Sequence, residues 1–443
     1  MVTGVSMGTK SGFDVVASRQ HDAIEPPFEH SELKNGARYF GQMAHDVPNG
    51  FGTWAHPDGG RYVGQWCKGY RHGHGTHTWQ DGLKYAGAWV DGQRHGQGTQ
   101  TKPSGETYVG YWRWGKRHGE GIHTWPAGHR YIGQFQDGKR HGNGALITPA
   151  GERFSGQWRD DKAHGMGTCV WTNGVRYVGQ WRDGKRHGMG TQTWPNCDRY
   201  EGQWQNGNRH GLGTLSRGSG VHHEGQWAED EPRGEGTRVW PNGDKYIGQW
   251  RGDQRHGLGK QFWSSGETYC GQWTNNGRHG EGTQTWPSGI QYDGQWVQDK
   301  RCGQGTQVWP NGERYVGQWN DGQRHGQGKQ TRSNGSLYDG QWAHDLRHGL
   351  GVNTWSTGGK YIGQWRAGKR HGQGEQVWIE NLRYVGQWQA DKRHGQGTQH
   401  WPTGAKYEGD WGYDKLHGIG VMTYDDGTTR KGRWHEHAFV GPM

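Results

Sequence analysis

Aliphatic side chains are the first thing this sequence goes without. Only 28% of its 443 residues belong to the set Ala, Val, Ile, Leu, Met, Phe, Trp, Tyr and Cys, a share that by itself points away from a packed core and toward disorder. No apolar run is long enough for a signal peptide or a membrane span, Val2 rather than glycine follows Met1, and the chain closes Val440-Gly441-Pro442-Met443 without a prenylation signal. The expectation is a soluble, cytoplasmic protein. After Gly36 no segment shows an apolar period of 3.6, so helix is expected almost nowhere. No Ser/His/Asp set, carboxylate pair or nucleotide motif stands out, which predicts a protein that is not an enzyme and holds no cofactor.

What the chain does have is 29 Trp, 19 Tyr and 86 Gly. Aromatics are its apolar material, each able to bury on the order of 150–250 Å². Their spacing is regular. Taking the tyrosine that opens YxGxW as position 0, the anchors run from Tyr39 through Tyr62, Tyr85 and Tyr177 to Tyr407 and Arg430 in steps of 23 residues, eighteen repeats without insertion or deletion. Residues 1–35 form an arm, expected to be irregular, and residues 36–443 form the repeat array. The five cysteines, Cys67, Cys169, Cys197, Cys270 and Cys302, fall at five different phases of the repeat, so neither a disulfide nor a metal framework is expected, and the compartment reads as reducing.

Within a repeat the aromatic, glycine and tryptophan at 0, +2 and +4, as in Tyr177, Gly179 and Trp181, share one parity, and so do Gly188, Gly190 and Trp194 further on. Period two means strand, so each repeat is expected to be a β-hairpin, followed by a Pro-Asn-Gly or Pro-Ser-Gly turn into the next. The glycines at +2, +11 and +13 are expected to seat aromatic rings from the neighbouring strand rather than to form a phosphate loop, because no helix pattern follows them.

YVGQW, a GKRHG-type segment, GxG and NG, repeated every 23 residues over all but about the first 35, resembles the MORN (membrane occupation and recognition nexus) repeat. The resemblance implies an all-β fold, an elongated twisted ribbon of antiparallel hairpins without catalytic residues, running to roughly 170 Å at about 4.8 Å per strand. It also implies cytoskeletal settings such as cilia.

Repetition turns each position into a row of side chains. At +9 stands arginine in thirteen repeats: Arg71, Arg94, Arg117, Arg140, Arg186, Arg209, Arg255, Arg278, Arg301, Arg324, Arg347, Arg370 and Arg393. One reading is a partner-binding positive edge for acidic polymers or anionic lipids. The other is that the arginines stack on tryptophans or pair with loop aspartates such as Asp183 and Asp321. At +10 fourteen repeats have histidine, expected to make a structural hydrogen bond in the loop, since adjacent repeats hold these rings too far apart to share a zinc ion. The +12 row varies freely, through Met166, Leu212, Leu258, Leu350 and Ile419, as either a partner-specific or an unconstrained surface would.

The ninth repeat departs from the template, with His223 at the ring position and Glu229, Asp230 and Glu231 in its loop. It is expected to be a bend or a docking site. The two edge strands, near Arg38 to Met43 and at the C-terminal end through Trp434, are expected to lack partners, and the latter to support self-association. Taken together the sequence predicts a structural scaffold or spacer that binds other proteins, cytoskeletal ones foremost. The alternative is a peripheral module on anionic phospholipid. Nucleic acid ranks last, because the net charge of +10 is spread evenly rather than focused.

Overall fold

The computed structural model describes residues 29–33 and 35–443. The chain divides into two compact units, Met1–Thr172 and Asn173–Met443, built alike. The described strands of the first run from Glu29–Glu32 to Lys162–Val170, and those of the second from Arg176–Arg182 to Ala438–Gly441. Inside each unit every strand pairs antiparallel with its successor in sequence. The fold is all-β, an open array of antiparallel hairpins with two strands per repeat. Among the described residues the single helical element is the 3-10 turn Ile379–Asn381, where Ile-Glu-Asn stands in place of Pro-Asn-Gly.

The repeat that begins at Tyr177 shows how the sequence makes its hairpin. Strands Arg176–Arg182 and Lys185–Thr193 are joined by Asp183-Gly184, both at positive φ (50° and 83°). Two left-handed residues in succession make the tight turn whose twist matches the strands, and Asp-Gly suits it. Lys185, Arg186 and His187, which read as loop in the sequence, therefore belong to the second strand. Trp181 lies opposite Arg186 and Gly179 opposite Gly190, with a register shift between them. Gln180 thus faces three residues, and Gly188 takes up the excess at φ 57°.

This bulge leaves backbone groups without ladder partners, and side chains supply them. The Tyr177 hydroxyl donates to the Gln180 carbonyl at 3.0 Å, and Gln180 Oε1 accepts the Met189 N–H at 2.9 Å. The same pair recurs as Tyr246 with Gln249 and Leu258. Each glycine of the Gly-x-Gly has its own reason. A Cβ on Gly190 would enter the Tyr177 ring, whereas one on Gly188 would meet the Gln180 side chain. The ring seat is thus confirmed for +13 and corrected for +11, whose left-handed backbone turns it toward glutamine.

On the ring face tyrosines and tryptophans alternate. Tyr177 meets Trp181 edge-on at 5.2 Å and Trp204 of the next repeat at 5.3 Å, the geometry aromatic quadrupoles prefer. Trp204 Nε1 donates to the Gly190 carbonyl at 3.1 Å, tying repeat to repeat. In the second unit this ladder is one continuous buried cluster from Tyr246 to Trp434.

The N-terminal edge differs from expectation. Strand Glu29–Glu32, inside the arm, pairs with Arg38 to Gly41, so that edge is covered; residues 1–28 and 34 of the arm lie outside the described residues. At the other end Ala438–Gly441 pairs with Thr429–His435.

Candidate functional site

The arginine row occupies the ring face. Each guanidinium lies over the +4 ring of the following repeat, from 4.1 Å for Arg347 on Trp365 to 4.6 Å for Arg71 on Trp89; Arg117, over Phe135, stands at 5.4 Å. Its Nη2 donates to the +7 carbonyl of that repeat, as Arg94 does to Gly115 at 2.9 Å. Where +15 is polar, its Nη1 can reach that side chain of its own repeat, as in Arg255 to Gln261 at 2.8 Å and Arg393 to Gln399 at 2.8 Å. Where +7 is aspartate, a carboxylate joins: Arg140 with Asp161, Arg209 with Asp230, Arg278 with Asp299, Arg324 with Asp345, Arg370 with Asp391 and Arg393 with Asp414.

Stacking and pairing are thus both present. The aspartates paired with the arginines stand one position later than the pattern suggested: the second turn residue meets the arginine of the preceding hairpin, while the first, as Asp321 does, bonds its lysine, Lys300. Desolvation holds the guanidiniums of Arg71, Arg94, Arg255 and Arg301 below their usual basicity. A half-buried guanidinium on an indole contributes roughly 1–2 kcal/mol.

The ninth repeat keeps this architecture by other means. His223 sits in the tyrosine place, edge-on to Trp227 at 5.3 Å and Trp250 at 5.1 Å, but neither ring nitrogen has a hydrogen-bond partner among the described residues. Burial, then the charge of Arg238, pushes its pKa down to about 3. With Pro232 at +9, the cation comes from +15: Arg238 lies 4.2 Å over Trp250 and bonds Asp253 at 2.7 Å. The ladder continues on both sides in the ordinary register. Of the acidic loop residues, Asp230 binds Arg209, while Glu229 and Glu231 are exposed. The sequence signal for this exchange was present in Pro232 and Arg238, but only geometry shows that two positions six apart reach one ring.

In four repeats the expected histidine hydrogen bond is not formed at Nδ1. In His95, His118, His256 and His394 that atom is buried without a partner among the described residues. The loop N–H that would have needed an acceptor is taken by the +3 glutamine, as Leu350 N–H is by Gln341.

Opposite the rings the +12 position projects apolar side chains into solvent. Met189, Leu212, Leu258 and Leu350, all at +12, are exposed by 55, 64, 61 and 64%. Around the ninth repeat Met189, Leu212 and Ile247 line a shallow groove together with Glu201, Glu224 and Glu235. Among the described residues no group of three or more His, Cys, Asp or Glu could hold a metal, and no helix is long and apolar enough to cross a membrane.

Inside each unit the geometry defines a tandem array in which each repeat packs on the next. A model of the MORN repeat matches seventeen successive segments, from residues 39–61 to 407–429, and the chain belongs to the MORN repeat family. No curated protein matches it. Among solved structures it is similar to the TCP domain of Drosophila melanogaster SAS-4 in complex with a proline-rich motif of Ana2, at 12% identity over 40% of this chain and 85% of that one, TM-score 0.22. A second is the TCP10 domain of Danio rerio CPAP in complex with a STIL peptide, at 11% identity over 66% and 98%, TM-score 0.14. A third is streptogramin B lyase, at 11% identity over 66% and 91%, TM-score 0.11. Superpositions this loose carry no functional argument.

Proposed function

We propose that the chain is a non-enzymatic structural scaffold that binds partner proteins along its repeat surface, in a cytoskeletal or ciliary assembly. The observation that carries this is the +12 row. Single exposed leucines are ordinary, but here large apolar side chains recur at one template position and project into solvent, about 10 Å apart between neighbouring repeats. Each would gain on the order of 1.5–3 kcal/mol on being covered. The arginine row on the ring face and the loop residues Glu229, Asp230 and Glu231 add charged contacts elsewhere on the array, through whatever their internal bonds leave open.

The test is affinity capture with the full chain beside a variant carrying Leu212→Asp, Leu258→Asp and Leu350→Asp. These positions are exposed, so the variant keeps its circular dichroism spectrum and loses its protein partners. Unchanged capture would remove the +12 face as the working surface. Sedimentation with anionic vesicles over a salt series runs in parallel: salt-sensitive vesicle binding without any protein capture would replace the scaffold by the phospholipid reading. Analytical ultracentrifugation reports whether the chain also associates with itself through its C-terminal strands.

A further inference from the structure

In several repeats a glutamate at +21 accepts a hydrogen bond from the +15 side chain of the repeat that follows. His123 Nε2 lies 2.8 Å from Glu106 Oε1, Gln284 Nε2 donates to Glu267 at 3.4 Å, and Gln330 Nε2 donates to Glu313. At the first of these the +17 residue closes on the other carboxylate oxygen, Lys102 Nζ to Glu106 Oε2 at 2.7 Å. Arg117 Nη1 stands behind His123 at 2.8 Å. The junction between two repeats is therefore a place shaped for one carboxylate, held by the +15 side chain and the +17 cation with the +9 arginine in support. Where +21 is not acidic, as at Gly359 and Leu382, a glutamine at +15 turns its amide to a backbone carbonyl instead: Gln376 to Val377 at 3.2 Å, Gln399 to Arg383 at 3.0 Å.

One junction has the donors and lacks the acceptor. The repeat that begins at Tyr315 carries Arg332 at +17 and Ser336 at +21, and the next carries Arg347 at +9 and Asn353 at +15. Asn353 is only 6% exposed. Its Oδ1 accepts from Arg347 Nη1 at 3.1 Å, but its Nδ2 has no hydrogen-bond partner among the described residues. One methylene shorter than glutamine, it does not make the bond to the backbone that Gln376 makes. Ser336, 7% exposed, accepts the Ser356 N–H at 3.1 Å, which leaves its hydroxyl proton free to donate. Arg332 is exposed, begins the turn that its N–H closes on the Ser336 carbonyl at 2.8 Å, and is close enough for its charge to act on Arg347. Arg347 meets Gly368, whose carbonyl it bonds at 3.0 Å, where six sister arginines meet an aspartate. Burial, and then the charge of Arg332, holds the Arg347 guanidinium below its usual basicity, a penalty that a nearby anion relieves.

We infer that Arg332, Ser336, Asn353 and Arg347 form a carboxylate-binding site that takes an Asp or Glu side chain from an acidic segment of a partner protein. The inference rests on the scaffold reading and deepens it by naming the chemistry of one contact. A carboxylate is favoured over a phosphate because the same place in sister junctions is filled by a glutamate of the chain itself. A buried amide nitrogen without a partner and a desolvated guanidinium at Arg347 are costly until an anion arrives.

The probe is a fluorescein-labelled hexaglutamate peptide titrated into the full chain, read by anisotropy. Ser336→Glu puts back the acid that sister repeats carry at this position, so it folds, and it is expected to weaken binding by about tenfold or more, since a charge-assisted contact is worth at least that. Asn353→Gln lets the amide close on the backbone and weakens binding to a smaller extent. Lys185→Gln, an exposed change of the same sign and size elsewhere, leaves the affinity within about twofold. Equal losses for Ser336→Glu and Lys185→Gln would reduce the effect to net charge and overturn the site. So would a native chain that ignores hexaglutamate, or one from which inorganic phosphate or phosphoinositide vesicles displace the peptide more readily than free glutamate peptides do. Failure here leaves the +12 surface test untouched, and a native chain that captures no protein while still binding hexaglutamate would sink the scaffold reading alone.

Discussion

His223 shows at the scale of one residue how a departure from the template is tolerated. It fills the tyrosine seat, 1% exposed, yet it cannot give the hydroxyl bond that Tyr246 gives to Gln249, and both its nitrogens are buried unpaired. The folded state therefore requires the neutral ring. Its pKa lies at about 3, against 6.5 in its ordinary state, so the stability contributed by the neutral form is complete above pH 6.5 and is lost as the pH falls toward 3. Denaturant titrations of the second unit are expected to lose on the order of 3–5 kcal/mol across that window. His223→Tyr should flatten the slope and raise stability by about 1 kcal/mol at neutral pH through the regained hydrogen bond. An unchanged acid slope in that variant would mean the charge is accommodated elsewhere. Next to it Trp250, wedged between His223 and Tyr246 with Arg238 above, is expected to cost about 3–5 kcal/mol on change to alanine. Hydrogen exchange should show the loss confined to the strands around it.

At the scale of the hairpin the decisive feature is the bulge opposite Gln180. Its two glycines answer to different constraints, and alanine scanning separates them. Gly188→Ala forces a Cβ onto a left-handed backbone but meets only the exposed glutamine side chain, which can swing away, so the expected cost is about 1–2 kcal/mol. Gly190→Ala pushes into Tyr177, which is fully buried and held by its own hydroxyl bond, so the cost should exceed that of Gly188→Ala, reaching about 3 kcal/mol or more. Thermal unfolding of the two single variants would settle the order. Equal costs would show that strain in the turn, not the ring seat, governs both positions.

Across the whole molecule the tyrosines act in common. Burial pushes Tyr39, Tyr62 and Tyr407 up to about 12 and raises Tyr177, Tyr246, Tyr315 and Tyr361 further still. A phenol whose folded pKa lies above its ordinary 10.0 lends stability that is whole below pH 10 and drains as the pH rises through the folded value. Tyrosinate absorbance is therefore expected to stay silent above pH 10 and then to appear together with the loss of strand signal in circular dichroism. Gradual ionisation from pH 10 with the strand signal intact would mean that the rings are not sealed. The same scale explains why the +9 arginines, unlike those of the strand ends, are not bare in a chain of net charge +10: they are part of the packing, spread over rings and capped by carbonyls and carboxylates of the following repeat.

The sequence by itself determined the repeat length, the strands, the glycine and aromatic rows and the family, because each depends on periodicity, and periodicity is a property of order along the chain. It left open whether Arg71 through Arg393 are surface or packing, since a cation can stack or face water at the same spacing. Tertiary structure decided that, by bringing each guanidinium over a ring 18 residues or so away in the next hairpin. It also decided the separate roles of Gly188 and Gly190, the replacement of an arginine at 232 by Arg238, and the stranded amide of Asn353. All of these depend on which atoms of neighbouring repeats come within hydrogen-bonding reach, and that distance is fixed by register across the sheet, by the bulge that shifts it, and by nothing that can be counted along one strand.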